Sequence, residues 1–281
     1  MLSAFTFLIL AAPIEFEKQP ATPGDAKIVL IAGPASAKAG EHEYVAGCYV
    51  LSKLLEQSKG VTPVIVKDGW PTNPETLVDA RTVVFFRDGG EAHSLLKGDR
   101  LAQMQKLVDK GVGVVLLHQC IDFPKDAGQR TIHWMGGVWE KGFSQRAHWI
   151  ADFEQFPEHA VTRGVGPFKI DDGWLSKNRF LPEKKGVTPL LRTASPKAAP
   201  GTRERDEAIV SWLYERPDGG RSFTFTGCHL HSSWNIEAYR RLLVNGILWT
   251  AKVDVPTTGA PVALDASELK NNLDERAPKK R

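Results

Sequence analysis

Three cysteines in 281 residues, Cys48, Cys120 and Cys228, are too few and too dispersed for a disulfide framework, so they leave the redox compartment open. Charge of one sign is missing too. The 36 basic and 33 acidic residues leave a net +3 with no basic stripe, which argues against nucleic acid as a partner. No apolar run reaches the ~18 residues of a bilayer span, so no integral membrane segment is expected. No internal repeat is present. At 42% apolar and 25% charged residues, the chain has material for one substantial core and little room for a second.

The longest apolar stretch, residues 4–12 (AFTFLILAA), has the length of a signal-peptide core. Its flanks are poor for that role: no Lys or Arg precedes it, and Pro13 follows directly. An exported, periplasmic or extracellular protein is favoured slightly over a cytoplasmic one, with a frayed terminus as the other reading. Residues 1–26 are taken as this segment plus a linker, 27–253 as one α/β domain, and 254–281 as a polar, disordered tail.

Within the domain, buried strands are expected at 27–33, 61–66 and 79–86 and in the run Gly113–Leu117 that ends on His118. Helical spacing marks 45–55, 101–110 and 236–251. A strand is expected at 146–153 and a hairpin at 208–214 and 221–227, and residues 184–206 read as a solvated excursion. Strands alternating with helices imply a doubly wound, mostly parallel sheet flanked by helices, with the hairpin added to it.

Ligands of open α/β sheets bind outside the carboxyl ends of the strands. The residues expected at that edge include His42 and Glu43, Asp88 with Gly89, Gly90 and His93, then His118, His229 and His231. Independent core histidines have no reason to choose one edge, so a shared site is the expectation. His229 and His231, two apart, share a face of an extended segment, and two imidazoles there can hold a metal or divide acid and base work. Adjacent Asp171 and Asp172 point to opposite faces, so only one can enter a pocket. Glu43, in a first helical turn, also has a plain capping role. Eight tryptophans is a high count, and Trp134, Trp174 and Trp234 fall in expected loops near the edge, whereas Trp149, Trp212 and Trp249 read as core.

These motifs together resemble the ThuA-like, trehalose-utilisation family, whose fold is of the class I glutamine amidotransferase, flavodoxin-like kind. The resemblance covers about residues 27–253. It rests on His42-Glu43-Tyr44, the strand into Asp88-Gly89-Gly90, the strand into His118, Asp171-Asp172, and Gly227-Cys228-His229 before a helix containing Trp249. It implies a carbohydrate partner, a trehalose-like glucoside or its 3-keto derivative. It also leaves room for a divalent, zinc-like metal on His42, His118 and His229; no other cofactor is called for, and a homo-oligomer is compatible. The chain departs from the amidotransferase parent where that parent carries its cysteine nucleophile: the stretch here reads Leu117-His118-Gln119-Cys120, without the flanking glycine, so glutaminase activity is not expected.

Three functions follow. The first is an enzyme, a keto-glycoside isomerase, lyase or hydrolase, with His118, His229, His231 and Asp88 as catalytic groups. Its substrate is expected against His42, Glu43, Gly89, Gly90, His93, Asp172 and the three tryptophans. The second is a Cys120 nucleophile with His229 as base. The third is a carbohydrate-binding module without chemistry.

Overall fold

The computed structural model describes residues 14–194, 196 and 208–275, so the signal-like segment 4–12 and the charged run 203–207 lie outside the described residues. The four apolar runs form parallel strands β1 (Ala26–Ala32), β2 (Val61–Val66), β3 (Ala80–Phe86) and β4 (Gly113–Leu117). Side chains on both faces of β1 and β4 are buried, which is why these runs lack the alternation of a half-exposed strand. Between them lie α1 (Tyr44–Leu55) and α2 (Arg100–Asp109). The chain continues through α3 (Lys125–Met135), short β5 (Gly137–Val138), and β6 (Gln145–Phe153) paired antiparallel with β7 (Phe168–Ser176). Short β8 (Arg179–Phe180) pairs with β5. Then follow β9 (Val187–Thr193), the hairpin β10 (Ala208–Glu215) and β11 (Arg221–Phe225), and α4 (Glu237–Thr250).

The central sheet has seven strands in the order β2-β1-β3-β4-β11-β10-β9. β11 runs parallel to β4, and β10 is antiparallel to both its neighbours. One face carries α1 and α4 over Leu30, Val84, Val115 and Phe223, and the other carries α2 and α3 over Ile31, Phe85, Val114 and Trp212. This is the doubly wound arrangement, and it brings the ends of β1, β3, β4 and β11 to one edge. No described helix is long and apolar enough to cross a membrane.

Several expectations change. The supposed linker is seated on edge strand β2: the Glu17 N–H donates to the Ile65 carbonyl at 2.8 Å, and Ile14 and Phe16 pack on the core. The excursion 184–206 contributes edge strand β9, because β10 offers a free edge to the apolar Leu190 and Leu191. The expected tail folds back as far as residue 275: Val255, Ala260 and Val262 are buried, and Tyr49 on α1 donates to Glu268 at 2.7 Å.

The three tryptophans offered as sugar platforms are core. Trp134 is on α3 and donates to Gln105, Trp174 is fully buried and donates to the Trp149 carbonyl, and Trp234 packs edge-on against Tyr239. Burying 150–250 Å² of ring at ~25 cal/mol per Å² is worth roughly 4–6 kcal/mol, more than stacking on a sugar in water returns. Of those expected in the core, Trp212 and Trp249 are buried, and Trp149 is partly so. His93 is also structural. Its ring stacks on Phe123 at 4.3 Å, Nδ1 accepts the Leu95 N–H and Nε2 donates to the Cys120 carbonyl.

Two glycines seat the helices of one face. A Cβ on Gly47 of α1 would overlap the Phe86 ring, and one on Gly246 of α4 the Phe223 ring. Alanine gains up to ~1 kcal/mol of helix propensity over glycine, whereas overpacking a closed core costs about 1–3 kcal/mol. Both rings are buried, so the steric term wins. Gly47→Ala and Gly246→Ala are each expected to lower the unfolding free energy by about 1–2 kcal/mol in urea titrations. For His93, burial and then the Arg87 charge push the imidazole down to about 3. A folded value below the unfolded one means the contribution is complete above about pH 6.5 and is lost as pH falls toward 3. His93→Gln should therefore be less stable at pH 7, with a flatter stability curve across that window by thermal unfolding.

Candidate functional site

Three strand ends deliver three histidines, and at each the backbone turns through the left-handed region. His42 has φ 52°, His118 φ 60°, and Cys228, just before His229, φ 71°. Such angles are uncommon for residues with a side chain and persist where the surroundings over-determine them. His118 leaves β4 directly into a short 3₁₀ turn, so it occupies the strained position that an amidotransferase gives to its nucleophile. The loop before α1 is tied to the one after β11: the His42 N–H donates to the His229 carbonyl at 3.0 Å and the His231 N–H to the Gly40 carbonyl at 2.9 Å. This bridge sets His42 and His229 side by side.

The imidazoles converge. His42 Nε2 lies 2.8 Å from His229 Nδ1 and 3.0 Å from His118 Nε2, and the latter pair is 3.4 Å apart. The outer nitrogens fix the tautomers. His42 Nδ1 faces Asp88 Oδ1 at 3.2 Å and the Ser36 hydroxyl at 2.7 Å, and His118 Nδ1 faces the Thr226 carbonyl at 3.4 Å. With protons assigned to those outer nitrogens, the inner nitrogens of His42 and His118 present lone pairs. His229 Nε2 is buried without a hydrogen bond and lies 3.6 Å from the Glu41 carboxylate, so its Nδ1 is the third inward lone pair. Three lone pairs in contact repel one another unless a cation lies between them. Three nitrogens bound tetrahedrally at 2.0–2.1 Å from a zinc-like ion are separated by about 3.3 Å, close to the spacing found. The carboxylate behind His42 is the customary support of such a ligand.

Electrostatics agree with neutral imidazoles. Burial, then His42 and His229, push His118 well below its usual range, and burial with His42 and His148 brings His229 down to about 4. Burial opposes ionisation of Asp88, but hydrogen bonds from His42, Ser36 and Tyr44 outweigh it and hold the carboxyl below its usual range; the Tyr44 hydroxyl donates at 2.6 Å. Glu41 likewise stays below its usual range despite partial burial, helped by His229 and Lys38. Solvent reaches the centre past Glu41, Asp88 and exposed His148, whose ring lies 4.4 Å from that of His229.

Of the residues singled out in the sequence, His42, His118, His229 and Asp88 come together; the others serve elsewhere. His231 starts a 3₁₀ turn rather than continuing an extended segment, so its ring points away and Nε2 bonds the Leu269 carbonyl. Glu43 caps nothing with its side chain in α1; its two oxygens accept the N–H groups of Gly40 and Asp274. Gly89 is covered by the backbone of Gln119 and Asp122, where a Cβ would overlap, and the Gly90 N–H donates to the Asp122 carbonyl, which leaves no cradle for a sugar on that turn. Asp172 is fully buried and accepts the N–H groups of Gly173, Cys228, His229 and Leu230, so it holds the His229 turn in place; burial pushes its carboxyl up to about 7 against those bonds. Asp171 is exposed on the opposite face, so no carboxylate pair spans the site. Cys120 is buried beneath the turn, its thiol donating to the Arg87 carbonyl, and burial raises it to about 12, which removes it as a nucleophile for His229.

Sequence reasoning missed Ser36, Glu41, Tyr44 and His148 as site residues. Glu41 and Tyr44 flank His42 within a motif that was read, so proximity was the available signal; Ser36 sits in a loop of small residues with none.

Two solved structures are similar to this chain. A ThuA-like protein from Bacteroides uniformis aligns with TM-score 0.59 at 16% identity, over 87% of this chain and 98% of its own. One from Parabacteroides merdae aligns with TM-score 0.57 at 15% identity, over 90% and 100%. A glutamine amidotransferase from Thermotoga maritima aligns more loosely, with TM-score 0.42 at 11% identity over 81% and 96%. A search of the curated proteins finds no match. The sequence profile of ThuA, described as trehalose utilisation, matches residues 29–250, a span that begins in β1, ends with α4 and contains all three histidines; the chain belongs to the ThuA family.

Proposed function

We propose that this chain acts on a carbohydrate, a trehalose-like glucoside or its 3-keto derivative, at a divalent metal held by His42 Nε2, His118 Nε2 and His229 Nδ1. The observation that carries the reading is the convergence of three buried imidazole nitrogens within 2.8–3.4 Å, backed by the Asp88 carboxylate and the Thr226 carbonyl. An all-imidazole set suits zinc, nickel, iron or copper rather than magnesium or calcium. Such an ion supplies Lewis acidity toward a sugar carbonyl or hydroxyl oxygen. The family's trehalose-utilisation description supports the substrate class.

The roles divide by exposure. His118 is 2% exposed and both of its nitrogens are engaged, so it is a ligand and not a free base. Glu41 is ionised at neutral pH and stands at the solvent side of His229. It takes the proton from the carbon next to a keto-sugar carbonyl, and can return it to the neighbouring position or deliver it to a leaving oxygen. Asp88 orients His42, and His148 limits the approach over His229.

Elemental analysis of protein purified without a histidine tag should find about one transition-metal ion per chain, and His118→Ala should remove it. Incubation with trehalose, other glucosides and their 3-keto forms, followed by NMR, should show consumption by the wild type. Glu41→Gln should keep its metal and lose about 10² to 10⁴-fold in rate, the usual contribution of a general base. Full metal content in His118→Ala sinks the centre, and undiminished turnover in Glu41→Gln sinks the base. Sugar binding without any turnover by the metal-loaded wild type converts the reading to a binding module. Because His229 protonates only near pH 4, metal retention should hold from neutral pH down to about 5 and fail below that, as read by equilibrium dialysis.

A further inference from the structure

The largest described cavity, about 860 Å³, is not at the histidines. It opens at the other edge of the sheet, where β3 and β4 begin and α2 and α4 end, on the order of 20 Å away for strands of this length. Its apolar wall includes Trp70, Leu77 and Leu107, and four cations line it: Arg81, Lys106, Lys110 and Lys252. Against them stands one lining acid, Asp79. None of the four cationic side chains has an ion-pair or hydrogen-bond partner among the described residues, and all four are exposed.

Lysines near helix C-termini commonly just offset the helix dipole, and α2 and α4 both end here. The size of that effect decides the matter. Each helix end carries about half a negative charge, so two ends offset about one of the three surplus positive charges. The cavity keeps a surplus of roughly two, next to an aromatic and aliphatic wall, within the volume range of small-molecule sites.

We propose that this cavity is a second ligand site, independent of the histidine centre, that takes an organic phosphate carrying a flat apolar group, of about the size of a nucleoside monophosphate. The flat group lies on the Trp70–Leu77–Leu107 wall, and the phosphate is held by Lys106, Lys110, Lys252 and Arg81.

The probe is 8-anilinonaphthalene-1-sulfonate, a flat apolar body with one anionic group, titrated by fluorescence into the full chain at low salt, with AMP, adenosine and inorganic phosphate as competitors. Saturable binding to one site is expected, unaffected by a chelator. Lys106→Gln with Lys110→Gln should weaken it by about fivefold per charge removed. A control pair on other surfaces, Lys59→Gln with Lys169→Gln, should leave it unchanged, and thermal unfolding should show all variants folded. AMP should displace the probe at concentrations at least tenfold below adenosine or phosphate. Non-saturable binding, equal effects of the two lysine pairs, or failure of AMP to displace the probe overturns the proposal. Adenosine equal to AMP removes the role of charge, and phosphate equal to AMP removes the apolar wall; either also overturns it. A chelator that abolishes binding would transfer the probe to the histidine centre and overturn it as well.

Discussion

Three imidazole lone pairs aimed at one another are a repulsive arrangement, and much of the surrounding structure holds it in place. Nothing in the histidines themselves favours it. The outer nitrogens are pinned by Asp88, Ser36 and the Thr226 carbonyl, and the inner ones are left no other direction. Burial of all three rings makes a proton between them expensive, since the charged imidazolium is the form that loses hydration. A protein that builds such a nest at the functional edge of its sheet has arranged for a positive charge that does not depend on imidazole protonation.

The supports are made largely of backbone. Asp172 contributes no chemistry to a substrate, yet it gathers four successive donors around the turn that presents His229, a role often given to a glycine-rich loop or a helix N-terminus. The left-handed residues His42, His118 and Cys228 perform the matching task at the strand ends, stopping each strand and swinging the next side chain inward. The site is therefore pre-organised by main-chain geometry, and its side chains have little freedom left to lose when a ligand arrives.

The fold was legible because its strands are fully buried and its helices amphipathic, so β1, β2, β3 and β4 announce themselves as apolar runs and α1 and α4 as stripes. The convergence of His42, His118 and His229 followed from one topological rule about strand ends. What was illegible was rotation about single residues. His231 and Glu43 sit one or two positions from ligands and point elsewhere because Cys228 and His42 turn the chain, and a left-handed angle on a non-glycine leaves no mark in the sequence. The tryptophans misled for another reason: α3 and β7 were read as loops, and a tryptophan assigned to a loop looks exposed. The run 254–275 looked like a tail because its buried residues, Val255, Ala260 and Val262, are small and widely spaced.

That returning segment also has a temporal meaning. Glu43, next to the first ligand, is tied to the Asp274 backbone across 231 residues of sequence, and His231, two residues beyond the last ligand, is tied to Leu269. During synthesis the loop bearing His42 leaves the ribosome long before its anchor exists. Until the anchor emerges, the three ligands cannot be held at their final spacing, so ion capture is a late event of maturation. A nascent chain would meet the metals of the cell with its histidines still apart, and the choice of ion would fall to the finished fold.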